Sequence, residues 1–202
     1  MTASIATIVE GQSEVESVPV LLRRILPGCL GASDVDVVRP FRVSRTRITR
    51  EHELERAVKQ TPRDRPNVEA ILVLLDADDD CPATLGPALA QRGQQVSAKP
   101  VAVVLAMREL EAWFLGAKRS LRGVRGIRDD AEPPPNPEAI RGAKESLSHN
   151  MTGRRYLEVD DQPALADRMD LEAAKAACPS FARLVREVTR LVACIPSSLR
   201  GG

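Results

Sequence analysis

The run Val68-Glu69-Ala70-Ile71-Leu72-Val73-Leu74-Leu75-Asp76-Ala77-Asp78 decides the fold class. Residues 68–75 are aliphatic and β-branched, with Pro66 ahead of them and acids behind, which reads as a buried strand. Working outward, two more apolar runs end in acids. Residues 4–9 lead into Glu10-Gly11 and Glu14, and Pro100–Ala106 leads into Glu109 and Glu111. Helical periodicity fills the intervals. Ser13 and Glu16 have the spacing of a capping box. Val18, Leu21, Leu22, Ile25 and Leu26 form a stripe, and Pro27-Gly28 is expected to stop that helix. Val35–Val38 is a further candidate strand, running on through Phe41 and Val43. A polar helix with a thin apolar face is expected over 51–60. Another helix follows Asp80 with Pro82 in its first turn, and a third spans Arg108–Gly116. Strands alternating with helices predict an α/β fold with a mostly parallel sheet flanked by helices.

Beyond residue 118 the character changes. Gly123, Gly126 and Pro133-Pro134-Pro135-Asn136-Pro137 mark a loop, and helices are expected over 137–147, 163–168, 170–177 and 180–193. The reading is a core over 1–118 and, over 119–202, a loop and helical C-terminal layer packed on the same domain. The tail Pro196–Gly202 is expected to fray.

Three strands delivering carboxylates to one edge is how an open α/β fold builds a site, because ligands bind at the carboxyl ends of strands. Mg²⁺ and Mn²⁺ are hard cations that take such oxygen ligands, and one or two of them promote phosphodiester cleavage. Gly11 permits a tight turn after Glu10. Asp76 and Asp78, two apart in extended backbone, are expected to project to one side. Two acids closing a buried strand repel one another without a cation. On a helix Glu109 and Glu111 lie about 200° apart, so only one of them faces the site, whereas both can if the chain is still extended at Arg108–Leu110; Glu109, nearer the strand end, is favoured.

The combination Ile8-Val9-Glu10-Gly11-Gln12-x-Glu14, Leu75-Asp76-Ala77-Asp78, Arg108-Glu109-Leu110-Glu111-Ala112-Trp113-Phe114-Leu115 and Cys178-Pro179-Ser180-Phe181 resembles a bacterial family known as domain of unknown function 4276, regarded as Toprim-like. The Toprim domain is the catalytic domain of topoisomerases, primases and the overcoming-lysogenization-defect nucleases. The resemblance implies metal-dependent nuclease chemistry. Glu10, Asp76 and Asp78 match the Toprim metal and catalytic residues, and Glu14, Glu109 and Glu111 match the additional acids of the nuclease branch. It implies nucleic acid as substrate, with DNA favoured over RNA. No position matches the catalytic lysine of that branch securely, although Arg108 or Lys144 could steady phosphate charge. Because that branch carries its own ATPase segment, an ATPase partner protein is a second expectation. A non-catalytic metal-binding subunit of such an ATPase is the alternative function.

Each residue also has a plainer reading. Acids at a helix start, such as Glu14 and Glu16, favour the helix dipole whether or not a metal binds, and capping is preferred for Glu16. Asp79 and Asp80 read as capping or solvated residues, and Trp113 and Phe114 as core. Residues 39–65 carry Arg39, Arg42, Arg45, Arg47, Arg50, Arg56, Lys59, Arg63 and Arg65 against four acids, and Arg119, Arg122, Arg125 and Arg128 recur every third residue. Of these, Arg45, Arg47, Arg122 and Arg125, with Arg108, are the candidate nucleic-acid contacts. The rival is a solvated surface in an arginine-biased chain, since 24 of the 29 cationic residues are arginine. Five aromatics are too few for a base-stacking platform.

A net charge of +1 gives no overall pull toward nucleic acid, so any attraction must be local. Cys29, Cys81, Cys178 and Cys194 lack paired spacing, which argues against a zinc site and for reduced thiols. No apolar stretch approaches the ~20 residues that span a bilayer, and no basic leader is evident, so a cytoplasmic protein is expected.

Overall fold

The computed structural model describes residues 2–50, 52–65 and 67–199. Five strands pair in one sheet: β1 (Ser4–Val9), β2 (Asp36–Val37), β3 (Phe41–Arg42), β4 (Val68–Asp76) and β5 (Val101–Ala106). The order is β2-β1-β4-β5, with β3 paired to β1 further along the same edge, and every pairing is parallel. Nine α-helices surround the sheet among the described residues: α1 (Gln12–Leu30), α2 (Arg45–Ile48), α3 (Glu53–Asp64), α4 (Pro82–Gln95), α5 (Glu111–Gly116), α6 (Ala143–His149), α7 (Glu158–Arg168), α8 (Leu171–Ala177) and α9 (Pro179–Cys194).

Alternation along β4 divides the core. Ala70, Leu72 and Leu74 face a cluster with Leu21, Leu22 and Ile25 of α1, Trp113 of α5 and Phe181 and Leu184 of α9. Ile71, Val73 and Leu75 face Leu54 and Val58 of α3 and Leu89 of α4. A parallel strand covered on both sides needs apolar residues at every position, which is why β4 shows no polar alternation in its sequence. The helix after β1 lies on the first face and the helix after β4 on the second. The chain therefore diverges between the carboxyl ends of β1 and β4, opening the crevice where α/β sheets bind ligands.

Local structure departs from the sequence reading in identifiable ways. Gly11, in extended conformation, is the N-cap of α1, so Ser13 and Glu16 form no capping box. Glu16 is exposed and pairs with Arg39 at 3.2 Å. Pro27-Gly28 does not stop α1. The helix runs to Leu30, where Gly31 turns left-handed (φ +62°), and the Gly31 and Ala32 N–H groups close onto Pro27 and Leu26 carbonyls. The strand expected over 35–43 is two short pieces separated by Val38-Arg39-Pro40. The polar helix runs over 53–64 rather than 51–60, burying Leu54, Ala57, Val58 and Thr61, and Glu51 and Pro66 lie outside the described residues.

The helix expected over Arg108–Gly116 begins only at Glu111, because Arg108 is left-handed (φ +61°). The segment 137–147 breaks at left-handed Gly142 into a 3₁₀ turn, Pro137–Ala139, and α6. The helix expected to start at Pro163 starts at Glu158 and carries Pro163 inside it. Asp170 caps α8 by accepting from the Glu172 and Ala173 N–H groups. The tail is tied in place as far as Leu199, whose carbonyl accepts from the Ala3 N–H at 3.2 Å. Residues 200–202 lie outside the described residues. No helix among the described residues is long and apolar enough to cross a membrane.

Candidate metal centre at the strand ends

The β4–β5 ladder continues past its last paired residues. The Ala77 N–H reaches the Ala106 carbonyl at 2.8 Å, and the Asp78 N–H reaches the Arg108 carbonyl at 3.1 Å. Asp78 (φ +51°) and Arg108 (φ +61°) thus meet across the strand ends, both in the left-handed region that side chains other than glycine rarely adopt. The turn at Asp78 ends the extended run, so Asp76 and Asp78 do not project alike. Asp76 stays partly buried and its Oδ1 accepts the Leu110 N–H at 2.8 Å, while Asp78 is exposed and its Oδ2 lies 3.5 Å from Arg45 Nε.

Glu10, just after β1, and Glu14, in the first turn of α1, lie near enough to Asp76 to act on its charge. Burial pushes the Glu10 carboxyl up to about 7, with Glu14 adding to the rise and Arg45 opposing it. Burial also holds Asp76 well above the usual carboxylate range, and Glu111, Glu10 and Glu14 raise it further. Such mutual repulsion is what clustered carboxylates show when no cation offsets them.

Unsatisfied atoms collect at the same place. Glu10 Oε2, Glu14 Oε2, Arg45 Nη1 and Arg108 Nε are all buried without a hydrogen-bond partner. Glu14 is 8% exposed, and its other oxygen accepts only a long bond from the Ser13 hydroxyl at 3.3 Å. A buried carboxylate oxygen without a partner is costly, and a hard divalent cation would satisfy it. The donor set therefore fits Mg²⁺ or Mn²⁺ in its chemistry. As the side chains stand, no three acid, histidine or cysteine groups among the described residues are drawn together as a ready ligand set.

Glu109 and Glu111 are separated by the start of α5. Glu109 is partly exposed, accepts the Lys144 N–H at 3.2 Å, and borders a small cleft of about 180 Å³ with Asp78, Asp79, Arg108 and Arg141. Glu111 is 1% exposed and its Oε1 accepts from Tyr156 Oη (3.0 Å) and Gln162 Nε2 (3.1 Å). Burial pushes Glu111 up to about 7, against the pull of Lys144. Lys144 is half-buried, and although that burial disfavours its charge, Glu111, Glu158 and Asp76 outweigh it and strengthen its hold on its proton. Of the two acids, Glu111 is the one whose charge adds to the rise at Asp76.

The arginines sort into two groups. Arg45 and Arg108 flank the acids. Arg45 bonds the Ala77 carbonyl at 3.1 Å and pairs with Asp78 and Asp80, and Arg108 lies 3.5 Å from Asp79. Arg47, Arg122 and Arg125 have partners of their own: Glu53 for Arg47 (2.8 Å), Glu132 for Arg122, and the fully buried Asp161 for Arg125 (2.7 Å). A groove of about 960 Å³ is lined by Lys144, His149, Arg155, Tyr156 and Glu158.

The model of the family described as domain of unknown function DUF4276 matches residues 9–189. The chain belongs to this family. No curated protein and no solved structure matches it.

Two segments within the family match hold the site from behind. Ser180 Oγ accepts Trp113 Nε1 at 2.8 Å and the Met107 N–H at 3.2 Å, and donates to the buried Glu138. Trp113 also meets Phe181 edge-on, with ring centroids 5.2 Å apart. A Cβ on Gly116 would fall 2.7 Å from Cys178 Sγ, so the glycine lets α5 approach the start of α9. In this DUF4276 chain the Glu111–Leu115 and Cys178–Phe181 stretches therefore lock together and fix the end of β5. Sequence reading missed Ser17 and Gln162, and quoted Ser180 within the Cys178–Phe181 element without giving it a role. The available signal for Ser17 was a polar residue four positions before Leu21 on the buried stripe of α1.

Proposed function

We propose that this protein is a Mg²⁺- or Mn²⁺-dependent nuclease of the Toprim type, hydrolysing phosphodiester bonds of nucleic acid in the cytoplasm, with DNA favoured. The observation that carries the reading is the pair of buried, unpartnered oxygens Glu10 Oε2 and Glu14 Oε2 beside Asp76, at the point where the β1 and β4 connections diverge. Glu10, Glu14, Asp76 and Glu111 would hold the cation, and the more exposed Asp78 and Glu109 border the same strand ends. A bound divalent ion activates water and stabilises charge on the phosphate oxygens. Arg45 and Arg108, each with a buried N–H lacking an acceptor, orient the phosphate and offset charge that develops on it. The Leu110 N–H keeps Asp76 turned into the crevice.

The test is a cleavage assay in Mn²⁺ on supercoiled DNA, single-stranded DNA and RNA. Glu10→Gln keeps size and hydrogen-bonding shape but removes a full charge, so cleavage should slow at least roughly 10²-fold. Identical trace activity in wild type and Glu10→Gln would mark contamination. It would favour instead a non-catalytic metal-binding subunit acting with an ATPase partner.

A further inference from the structure

We propose that the groove between α6 and the start of α7 is a self-association surface, where a second copy of this chain seats its Leu157 and Val159 and offers its own groove in return. The groove holds about 960 Å³, with Lys144, Glu145 and His149 on its α6 wall and Arg155, Leu157, Val159 and Asp160 on the other. Leu157 and Val159 are each 54% exposed, the most exposed large apolar side chains among the described residues. Both border the same groove, which makes them an apolar ridge rather than scattered surface residues. The ridge is held firmly. The Leu157 N–H donates to the buried Asp161 at 2.8 Å, Arg154 pairs with Asp161, and the Tyr156 N–H donates to Ser148 Oγ of α6 at 3.1 Å. Lys144 and Glu158 join the two walls in an ion pair at 3.1 Å. A surface already ordered loses little conformational freedom when it docks.

Charge selects the occupant. Glu145, Glu158 and Asp160 on the groove would repel a phosphate backbone, so nucleic acid does not fit here. Each wall carries both signs: Lys144 and Glu145 on α6, Arg155 and Asp160 on the other. Arg155, Glu145 and Asp160 have no ion-pair partner among the described residues. In a twofold dimer one patch faces itself, so each charge must find its opposite within its own patch. A surface of a single sign fails that condition, and this one meets it. The chain's net charge of +1 leaves little overall repulsion between copies. The groove and ridge fall short of the roughly 20–30 residues a side in a standard interface, so the dimer should be weak, with a dissociation constant of order 10–100 µM.

The experiment is analytical ultracentrifugation of the full chain over a concentration series, with emission of Trp113, the sole tryptophan, as the measure of intact packing. Wild type should show a reversible monomer–dimer equilibrium. Leu157 is the N-cap of α7 and makes no side-chain cap, a position that favours serine, so Leu157→Ser removes apolar surface without harming the fold. It should weaken the dimer at least about tenfold, because a symmetric interface loses the side chain twice. Arg155→Glu, and separately Glu145→Lys with Asp160→Lys, should each give a monomer, since each leaves one sign in excess. An equimolar mixture of these two variants should associate again, which a folding defect could not produce. A wild type that stays monomeric up to about 1 mM would overturn the proposal. So would a dimer indifferent to Leu157→Ser, or charge variants that fail to associate when mixed.

Discussion

Gly11 and Glu14 occupy one another's space. A Cβ on Gly11 would collide with Glu14 Oε2 and lie 3.1 Å from its Cδ. The backbone of Gly11 has φ −102°, which any residue adopts, so glycine is needed there for the approach of the carboxylate and not for the turn itself. Gly11→Ala is therefore expected to push the Glu14 side chain out of the crevice. Mn²⁺ affinity should fall at least about tenfold, and stability should change by no more than roughly 1 kcal/mol because a side-chain end yields easily. Calorimetry and a urea melt on the same variant separate the two effects. A large stability loss with unchanged affinity would contradict this account.

Asp76→Asn should leave the fold intact and remove most Mn²⁺ binding. The asparagine carbonyl can still accept the Leu110 N–H that Asp76 Oδ1 accepts at 2.8 Å, while the charge opposing Glu10, Glu14 and Glu111 disappears. The metal-free variant should be at least as stable as wild type. Unchanged affinity in this variant would exclude Asp76 as a ligand.

Glu10 and Glu111 bind protons more tightly in the folded chain than in the unfolded one, each pushed up to about 7 first by burial. Their contribution to stability is therefore intact below the ordinary carboxylate range near 4.5 and is lost as pH rises through about 7. Metal-free protein should lose stability across that window, by an amount of order 1–3 kcal/mol after allowance for the partial exposure of Glu10. Glu111→Gln should flatten the decline, and saturating Mn²⁺ should reverse it. Denaturant midpoints between pH 5 and 8 measure this. A wild-type slope identical to that of Glu111→Gln would show that Glu111 titrates normally.

Ser180→Ala tests the frame behind the site. The change strips partners from Trp113 Nε1, the Met107 N–H and the buried Glu138 together. Leaving buried polar groups unsatisfied costs about 1–3 kcal/mol, so a clear drop in stability and a shift of Trp113 emission are expected. Mn²⁺ affinity at a temperature where the variant is folded should change far less than in Gly11→Ala.

The strands and their terminal acids were legible in the sequence because a parallel strand buried on both faces is a continuous apolar run, and 4–9, 68–75 and 100–106 have that form. Asp78 was misread because its left-handed backbone is imposed by pairing with Arg108 across two strand ends, which no local pattern announces. The choice between Glu109 and Glu111 turned on where α5 begins, and that is set by Leu110 binding back to Asp76, 34 residues away. Pro163 looked like a first helical residue, but α7 tolerates it internally, with Asp161 anchored by two arginines. What was lost in each case is a long-range contact overriding a local signal.

The arginines divide into those that can meet a phosphate and those that hold the fold, and substitution should separate them. Arg45 keeps a buried N–H without an acceptor beside Asp78 and Asp80, whereas Arg125 is 2.7 Å from a fully buried carboxylate. Arg45→Gln should weaken DNA binding in Mg²⁺ and make the slope of log affinity against log salt shallower by about one unit, with little loss of stability. Arg125→Gln should do the opposite. Asp161 keeps Arg154 and the Leu157 N–H, so the loss should be about 1–2 kcal/mol of stability, with the salt slope unchanged. Fluorescence anisotropy with a labelled duplex across a salt series reads the slope, and a urea melt reads the stability. If Arg45→Gln leaves both affinity and slope as they are, its free N–H is no phosphate contact and the strand-end acids act on a different substrate.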